Sequence, residues 1–303
     1  MNRGHVRKLR ISRIIESDTF LGYLTLVPII LWVMGVLGYP LYYATSLSLR
    51  DQTLIGTASS FVGFQTYQKV LTNETFWIAL RNTAVWTFGN TIVQGIFALT
   101  TALILNELTG WFRWLRSLFI IPWIVPTAVA ALMWGWIVNP SYGVLPYFFT
   151  ETFPLFDRIP ALLGEPQWVM LTTIIINAWR WFPFGSIIIL ARLQDLSEET
   201  IEAAKLDGAG GLQLFLYIIW PHLQSVMSIF FLLGSLWAFN SFDMLWLLTG
   251  GGPGNKTTTL PILIYRFAFN NYQMSQAAAV SILMLLLLGF FTFLFFKFMY
   301  RPD

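Results

Sequence analysis

Residues 201–221 read Ile-Glu-Ala-Ala-Lys-Leu-Asp-Gly-Ala-Gly-Gly-Leu-Gln-Leu-Phe-Leu-Tyr-Ile-Ile-Trp-Pro, a polar island between two long apolar stretches. Five acids, Asp195, Glu198, Glu199, Glu202 and Asp207, fall in or beside it. Carboxylates are costly to take out of water without partners, so this density in an otherwise hydrophobic chain places the segment in the aqueous phase. The island therefore offers its surface to something outside the apolar stretches.

Those stretches are membrane spans. Apolar residues make up 56% of the 303 residues and charged residues 11%, against about 25% charged in soluble domains. Crossing a hydrocarbon core of roughly 30 Å takes about 20 apolar residues at about 1.5 Å each. Such runs recur at 20–46, 81–105, 117–138, 168–191, 223–247 and 276–297. The composition predicts an all-α integral membrane protein with six transmembrane helices. The first run is longer than a signal-peptide core and no small-residue cleavage site follows it, so it is expected to stay as a span. Cysteine is absent, which excludes disulfides, thiolate metal sites and a cysteine nucleophile. A net charge of +3 is too small to argue for nucleic acid. No cofactor and no metal are expected.

Charge sets the orientation. Arg3, Arg7, Lys8, Arg10 and Arg13 precede the first span, and by the positive-inside rule they hold the N-terminus in the cytoplasm. With six spans the C-terminus returns there. The cytoplasmic side then also carries Arg113, Arg116, Arg192, Lys205, Lys297 and Arg301, and the outer side Arg50, Lys69, Arg81, Arg158, Lys256 and Arg266. The reading gives a basic tail at 1–19, one membrane domain at 20–297 and a short tail at 298–303. The outer connections, about 49–80 and 139–167, carry turn formers such as Pro140, Gly143, Pro146, Pro154, Pro160 and Pro166 and read as short surface helices and turns.

Within the island, Ser197 is placed to cap a helix beginning at Glu198, and Glu198 and Glu199 meet the positive end of its dipole. Gly208 supplies a terminator. Gly210 and Gly211 let the backbone bend before a second short helix through Phe215 to Ile219, and Pro221 begins the fifth span. Ala203 and Ala204 keep the first helix thin enough for another backbone to approach, while Glu202 and Asp207 offer acceptors to a basic partner. A solvated helical hairpin with no partner fits the same spacing.

The combination Glu202-Ala203-Ala204, Asp207-Gly208-Ala209, Ile218 and Pro221 closely resembles the cytoplasmic signature of permeases of binding-protein-dependent ABC importers. Phe239-Asn240-Ser241-Phe242-Asp243, followed by Leu248-Thr249-Gly250-Gly251-Gly252-Pro253, is similar to the end of the fifth core helix in the carbohydrate-importing branch, in particular the larger maltose-type subunit. Trp220 stands where the family carries leucine, and Ser225 where it often carries proline. The resemblance, over about Leu21 to Lys297, implies a coupling helix between spans four and five. Glu202, Ala203, Ala204, Asp207, Gly208 and Pro221 would seat it in a separate ABC ATPase present in two copies. It also implies a second homologous permease completing a heterodimer, an extracytoplasmic solute-binding protein, a sugar as solute, and a place in a bacterial or archaeal inner membrane.

For the solute, Arg180 is the formal charge near the middle of a span, where exposure to lipid costs on the order of 2.5–3.5 kcal/mol. Helical spacing puts Asn177, Arg180, Trp181 and Phe184 on one face, a mixture of hydrogen-bonding groups and rings that suits a sugar. On the fifth span Gly234, Trp237 and Ser241 share a face, with Asn240 and Asp243 beside it. The maltose-type pocket carried over position by position implicates Asn177, Arg180, Trp181, Phe184, Gly234, Trp237, Ala238 and Ser241. Plain packing, or pairing of Arg180 with a neighbouring subunit, fits them too. From the span limits, Arg180 and Asp243 are expected to lie roughly 12 Å apart in depth, with no direct pairing unless a helix breaks.

Other chemistries fare worse. Gly250 to Thr257 nearly matches a phosphate loop, but Asn255 replaces the required second glycine and the stretch is expected outside the cell. Asn73-Glu74-Thr75 and Asn255-Lys256-Thr257 match the glycosylation pattern but read as structural. An ion-coupled secondary transporter would bury acids or histidines, and here only Asp243, near a span end, qualifies. A membrane enzyme lacks an intramembrane nucleophile or His pair; His5 lies in the basic tail and His222 at the start of a helix. For the solute itself, a neutral di- or oligosaccharide and a phosphorylated polyol such as glycerol phosphate both remain open.

Overall fold

The computed structural model describes residues 18–53, 60–108, 110, 114–153, 155, 157 and 159–298. The basic residues before Asp18, with Arg113, Arg158 and Arg301, lie outside them, so that part of the charge argument stays with the sequence. In chain order the helices are α1 (Asp18–Val33), α2 (Tyr39–Ser48), α3 (Gln65–Leu71), α4 (Glu74–Asn106), α5 (Leu115–Leu118), α6 (Ile121–Ile124), α7 (Thr127–Ile137), α8 (Val144–Tyr147), α9 (Val169–Gln194), α10 (Glu198–Leu206), α11 (Gly211–Leu214), α12 (Trp220–Phe239), α13 (Asp243–Thr249), α14 (Leu260–Tyr265) and α15 (Met274–Phe298). A two-residue antiparallel ladder pairs Arg50 with Phe61 and Asp51 with Ser60.

Among the described residues five helical stretches are long and apolar enough to cross a bilayer: Thr25–Ser48, Glu74–Asn106, Val169–Gln194, Gly211–Phe239 and Met274–Lys297. The continuous third span read at 117–138 is corrected. Leu115–Ile124 and Thr127–Ile137 form a pair bent by 97°, because Pro126 excludes its predecessor Val125 from helical geometry (φ −63°, ψ 126°). The second span starts at Glu74 rather than 81, since the Asn73 side chain accepts from Thr75 N–H at 2.9 Å and caps the helix seven residues earlier. The fifth span ends at Phe239 rather than 247. Asn240 turns its Nδ2 back onto the Leu236 carbonyl at 2.8 Å, Ser241 N–H closes on Ala238 O, and the chain restarts as α13.

Polarity along α4 is reversed relative to a helix in water. Thr83, Thr87, Asn90, Thr91 and Gln94 are buried, while Val85, Phe88, Ile92 and Ile96 are exposed. Lipid covers apolar side chains as well as protein does, so the helix turns its polar stripe inward where partners exist. α4 packs along α9 and α12, and small residues let the backbones approach. A Cβ on Gly185 of α9 would stand 2.5 Å from the Phe230 ring and 2.9 Å from Ala98; one on Gly89 would stand 2.6 Å from Ile174. Among the described residues three apolar clusters run along this axis. One joins Phe76, Leu263, Phe267 and Val280, one Trp86, Ile176, Leu245 and Ile262, and one Ala102, Ile189, Leu223 and Phe230.

Both helix-to-helix joins of the N-terminal and fifth spans use a wide π turn just before a proline. Met34–Gly38 precedes Pro40, and Phe215–Ile219 precedes Pro221. Proline has no N–H for the carbonyl four residues back and crowds it, and a widened turn lets the helix continue through the defect.

Candidate functional site

Two regions carry the sequence-derived candidates. In the island, Ser197 Oγ accepts from Thr200 N–H at 3.3 Å and starts α10, with Glu198 and Glu199 in the first turn. The helix closes with a paired termination: Gly208 N–H donates to Lys205 O at 3.1 Å and Ala209 N–H to Ala204 O at 2.9 Å. That six-to-one, five-to-two pattern needs a left-handed residue after the cap, and Gly208 supplies it at φ +85°. Glu202, Ala203 and Asp207 are exposed, Ala204 is half-buried, and Pro221 lies in the first turn of α12. Leu206, Leu212 and Tyr217 are also exposed, at 88%, 72% and 77%, so the island shows an apolar surface that its acids had concealed in the sequence.

The island's two ends are tied together. Arg192 Nε donates to the His222 carbonyl at 3.2 Å, and His222 Nε2 lies 2.8 Å from the Arg192 carbonyl. Asp195 holds the Arg192 guanidinium at 3.6 Å. Each residue thus bonds the backbone of the other, and α9 and α12 are pinned where they leave the membrane-length segments.

The second region is a cavity of about 640 Å³ between α4, α9, α12 and α13. Its wall brings together Asn177, Arg180, Trp181, Gly234, Trp237, Ala238, Asn240, Ser241 and Asp243; Phe184 lies instead on a smaller apolar cavity of about 100 Å³ nearer the island. Ser241 and Asp243 reach the wall because the chain breaks after Phe239, and not by continuing a helical face. The same break brings Asp243 to the wall of the cavity that Arg180 also lines. Among the described residues no ion pair within 4 Å joins them. Arg180 Nε donates instead to the Val125 carbonyl at 3.1 Å, an acceptor freed by the bend before α7, and its guanidinium sits 5.0 Å over the Trp181 ring.

Asn177 is buried and commits its Nδ2 to Asn90 Oδ1 at 2.7 Å, tying α9 to α4. Trp181 and Phe184 stand 5.5 and 5.7 Å from the Trp237 ring, and Trp123 stacks on Phe184 at 5.7 Å. Sequence reasoning missed Gln94, which lines both cavities, and Thr127 and Phe242 on the larger one. The signal for Gln94 was present in the helical spacing of Thr83, Thr87, Asn90, Thr91 and Gln94. The glycine-rich turn at 250–257 carries no phosphate-loop geometry: Arg266 donates from Nη1 to Asn255 Oδ1 and from Nη2 to Gly250 O, both at 2.7 Å, and Asn82 Nδ2 donates to Asn255 O and Thr258 O. Asn73 and Asn255 both serve structural roles.

Residues 95–301 match the family model described as binding-protein-dependent transport system inner membrane component. The trehalose/maltose transport system permease protein of Thermococcus litoralis is 33% identical over 291 residues, covering 94% of this chain and 96% of that one. The sn-glycerol-3-phosphate transport system permease protein of Agrobacterium fabrum is 27% identical over 286 residues, covering 94% and 96%. A bacterial alginate ABC transporter, in complex with an alginate pentasaccharide-bound periplasmic protein, contains a chain that superposes with a TM-score of 0.79 at 21% identity, covering 97% of this chain and all of that one. A second alginate importer structure gives 0.77 over 95% of this chain. At these identities the superpositions show the fold.

Proposed function

The chain belongs to the family of binding-protein-dependent transport system inner membrane components, and from that premise we propose that it is the permease for a neutral di- or oligosaccharide in an ATP-driven importer. It is a multi-pass inner-membrane protein and a permease subunit of an ABC transporter. We take the bent pair at 115–137 as the third of six spans, with both termini in the cytoplasm, a tail at 1–19, the permease domain at 20–297 and a tail at 298–303. A second homologous permease completes the heterodimer, two copies of a separate ABC ATPase hydrolyse ATP, and a solute-binding protein delivers the sugar from outside. Residues 198–221 form the coupling element. Glu202 and Asp207 meet basic groups of the ATPase, Ala203 and Ala204 admit its backbone, and Gly208 and Pro221 fix the turn and the exit. The Arg192–His222 clamp supports this reading, since it lets α9 and α12 move as one with the island.

The larger cavity carries the solute reading. One cation and one anion face it together with amides, two hydroxyls and indole rings. Sugar hydroxyls need donors and acceptors, and sugar C–H faces lie well on rings. A glycerol-phosphate-type solute is the second reading, favoured by Arg180 and by the resemblance to the Agrobacterium protein. Asp243 in the same wall counts against it, because a carboxylate repels a phosphate that Arg180 would attract.

The test is ATP hydrolysis by the reconstituted transporter with its binding protein. Maltose or trehalose is expected to stimulate it and glycerol 3-phosphate not; the reverse would install the second reading. Trp237→Ala is expected to raise the half-saturating sugar concentration roughly 3- to 10-fold, the equivalent of about 1 kcal/mol of ring contact. Asn177→Ala should weaken uptake and also loosen α4 against α9, because it strips Asn90 Oδ1 of its short bond. Unchanged apparent affinity in both variants would return these residues to packing.

A further inference from the structure

We propose that Gln94 is a solute-contacting, specificity-determining residue at the throat between the two cavities, where it holds sugar hydroxyls as the solute passes from the polar chamber to the apolar one. The proposal rests on the carbohydrate reading above.

Gln94 lies on α4 and lines both cavities; Trp181, Gly234 and Trp237 are the other residues common to the two walls. A residue shared by both walls marks their junction. The Trp181 and Trp237 rings, 5.5 Å apart, narrow that junction from the side of α9 and α12, and Gln94 faces them from α4. The larger cavity offers amides, Ser241 and two charges, but the smaller one is walled by aliphatic and aromatic side chains, with Gln94 as its one amide. A polyhydroxylated solute entering it gives up its other partners and finds, beside the indole N–H donors of Trp181 and Trp237, this amide as the one side-chain acceptor among the lining residues. Hydrogen bonds lost to water or protein on such a transfer must be replaced, or the polar group is stranded.

The side chain is free to do so. Gln94 is buried, yet its bond inside the protein is a weak one, Nε2 to Asn90 Oδ1 at 3.5 Å, and Asn90 Oδ1 is already taken by Asn177 at 2.7 Å. A primary amide has two donors and two acceptor lone pairs. One long bond leaves a donor and the whole carbonyl for a solute. Asn90 and Asn177, bonded to each other, fix the floor from which Gln94 projects and keep it from collapsing onto α9.

The absence of native cysteine makes the test direct. In proteoliposomes holding the assembled transporter, Gln94→Cys is exposed to a small cationic methanethiosulfonate with and without maltose or trehalose, beside Trp237→Cys as a cavity marker and Thr83→Cys as a buried one. Gln94→Cys is expected to be labelled, Thr83→Cys to stay unlabelled, and sugar to slow labelling of Gln94→Cys and Trp237→Cys at least severalfold. No labelling of Gln94→Cys, or labelling unaffected by a sugar that protects Trp237→Cys, overturns the proposal. Protection at neither position by either sugar overturns the carbohydrate reading, and the inference with it. An independent arm uses uptake: Gln94→Leu keeps the side-chain volume and removes the hydrogen bonds, and should raise the half-saturating sugar concentration about 3- to 10-fold at a nearly unchanged maximal rate. An unchanged half-saturation sinks the proposal.

Discussion

Gly208→Val is expected to bring sugar-stimulated ATP hydrolysis of the assembled transporter down to its unstimulated level while the membrane helices stay folded. At φ +85° an L-residue pays on the order of 1–2 kcal/mol, and a β-branched one is the worst tolerated. No atom lies within 4 Å of the position a Cβ would take, so the penalty is backbone strain and not a clash. Strain relaxes where the chain is softest. Here that is the island itself, through loss of the Gly208 and Ala209 bonds that terminate α10, and not the buried crossing of α4 with α9. The proposed coupling element would then keep its residues and lose its angle. Gly208→Asn, which accepts left-handed geometry more readily, should retain most of the stimulation. Glu202→Ala is expected to weaken ATPase association with the turn intact. Wild-type stimulation in Gly208→Val would show that force reaches the cavity by another route.

The second large effect lies in the membrane. Gly185→Leu is expected to abolish uptake and lower the thermal midpoint of the purified protein, because the site where α9 crosses α4 and α12 has no room: the added Cβ alone would stand 2.5 Å from Phe230 and 2.9 Å from Ala98. Overpacking of this kind costs about 1–3 kcal/mol and occasionally more. Phe230→Ala in the same chain should recover a substantial part of the midpoint, since it vacates the space that the leucine needs. The two substitutions are in contact, so their effects should fail to add. If the double variant is no more stable than Gly185→Leu alone, the crossing is not limited by Phe230.

Much of this architecture could be read from residue types. Composition fixed the solvent as lipid, and Ser197 and Gly208 marked both ends of α10 because capping chemistry is local. Breaks within apolar runs were harder to see. Asn240, Ser241 and Asp243 interrupt 223–247 only briefly; the helix stops there because Asn240 folds back on Leu236 and because Met244 and Leu245 bury with Trp86 and Ile262, which is tertiary packing. The bend before α7 did leave a trace in Pro122 and Pro126, two prolines inside one apolar run. Gln94 escaped for a different reason. It lies on α4, away from the spans that flank the island, and the polar stripe of α4 turns inward only because lipid surrounds the outside.

The bond from Arg180 to the Val125 carbonyl makes two irregularities interdependent. The bend strands an acceptor and the mid-helix guanidinium satisfies it, so each defect is tolerable only in the company of the other. For grafting segments between related permeases, residues 115–137 and the middle of α9 therefore behave as a single cassette. A chimera that takes its 115–137 from a donor with a straight helix there would leave Arg180 without this acceptor, whereas exchanging both stretches together would carry the matched pair intact.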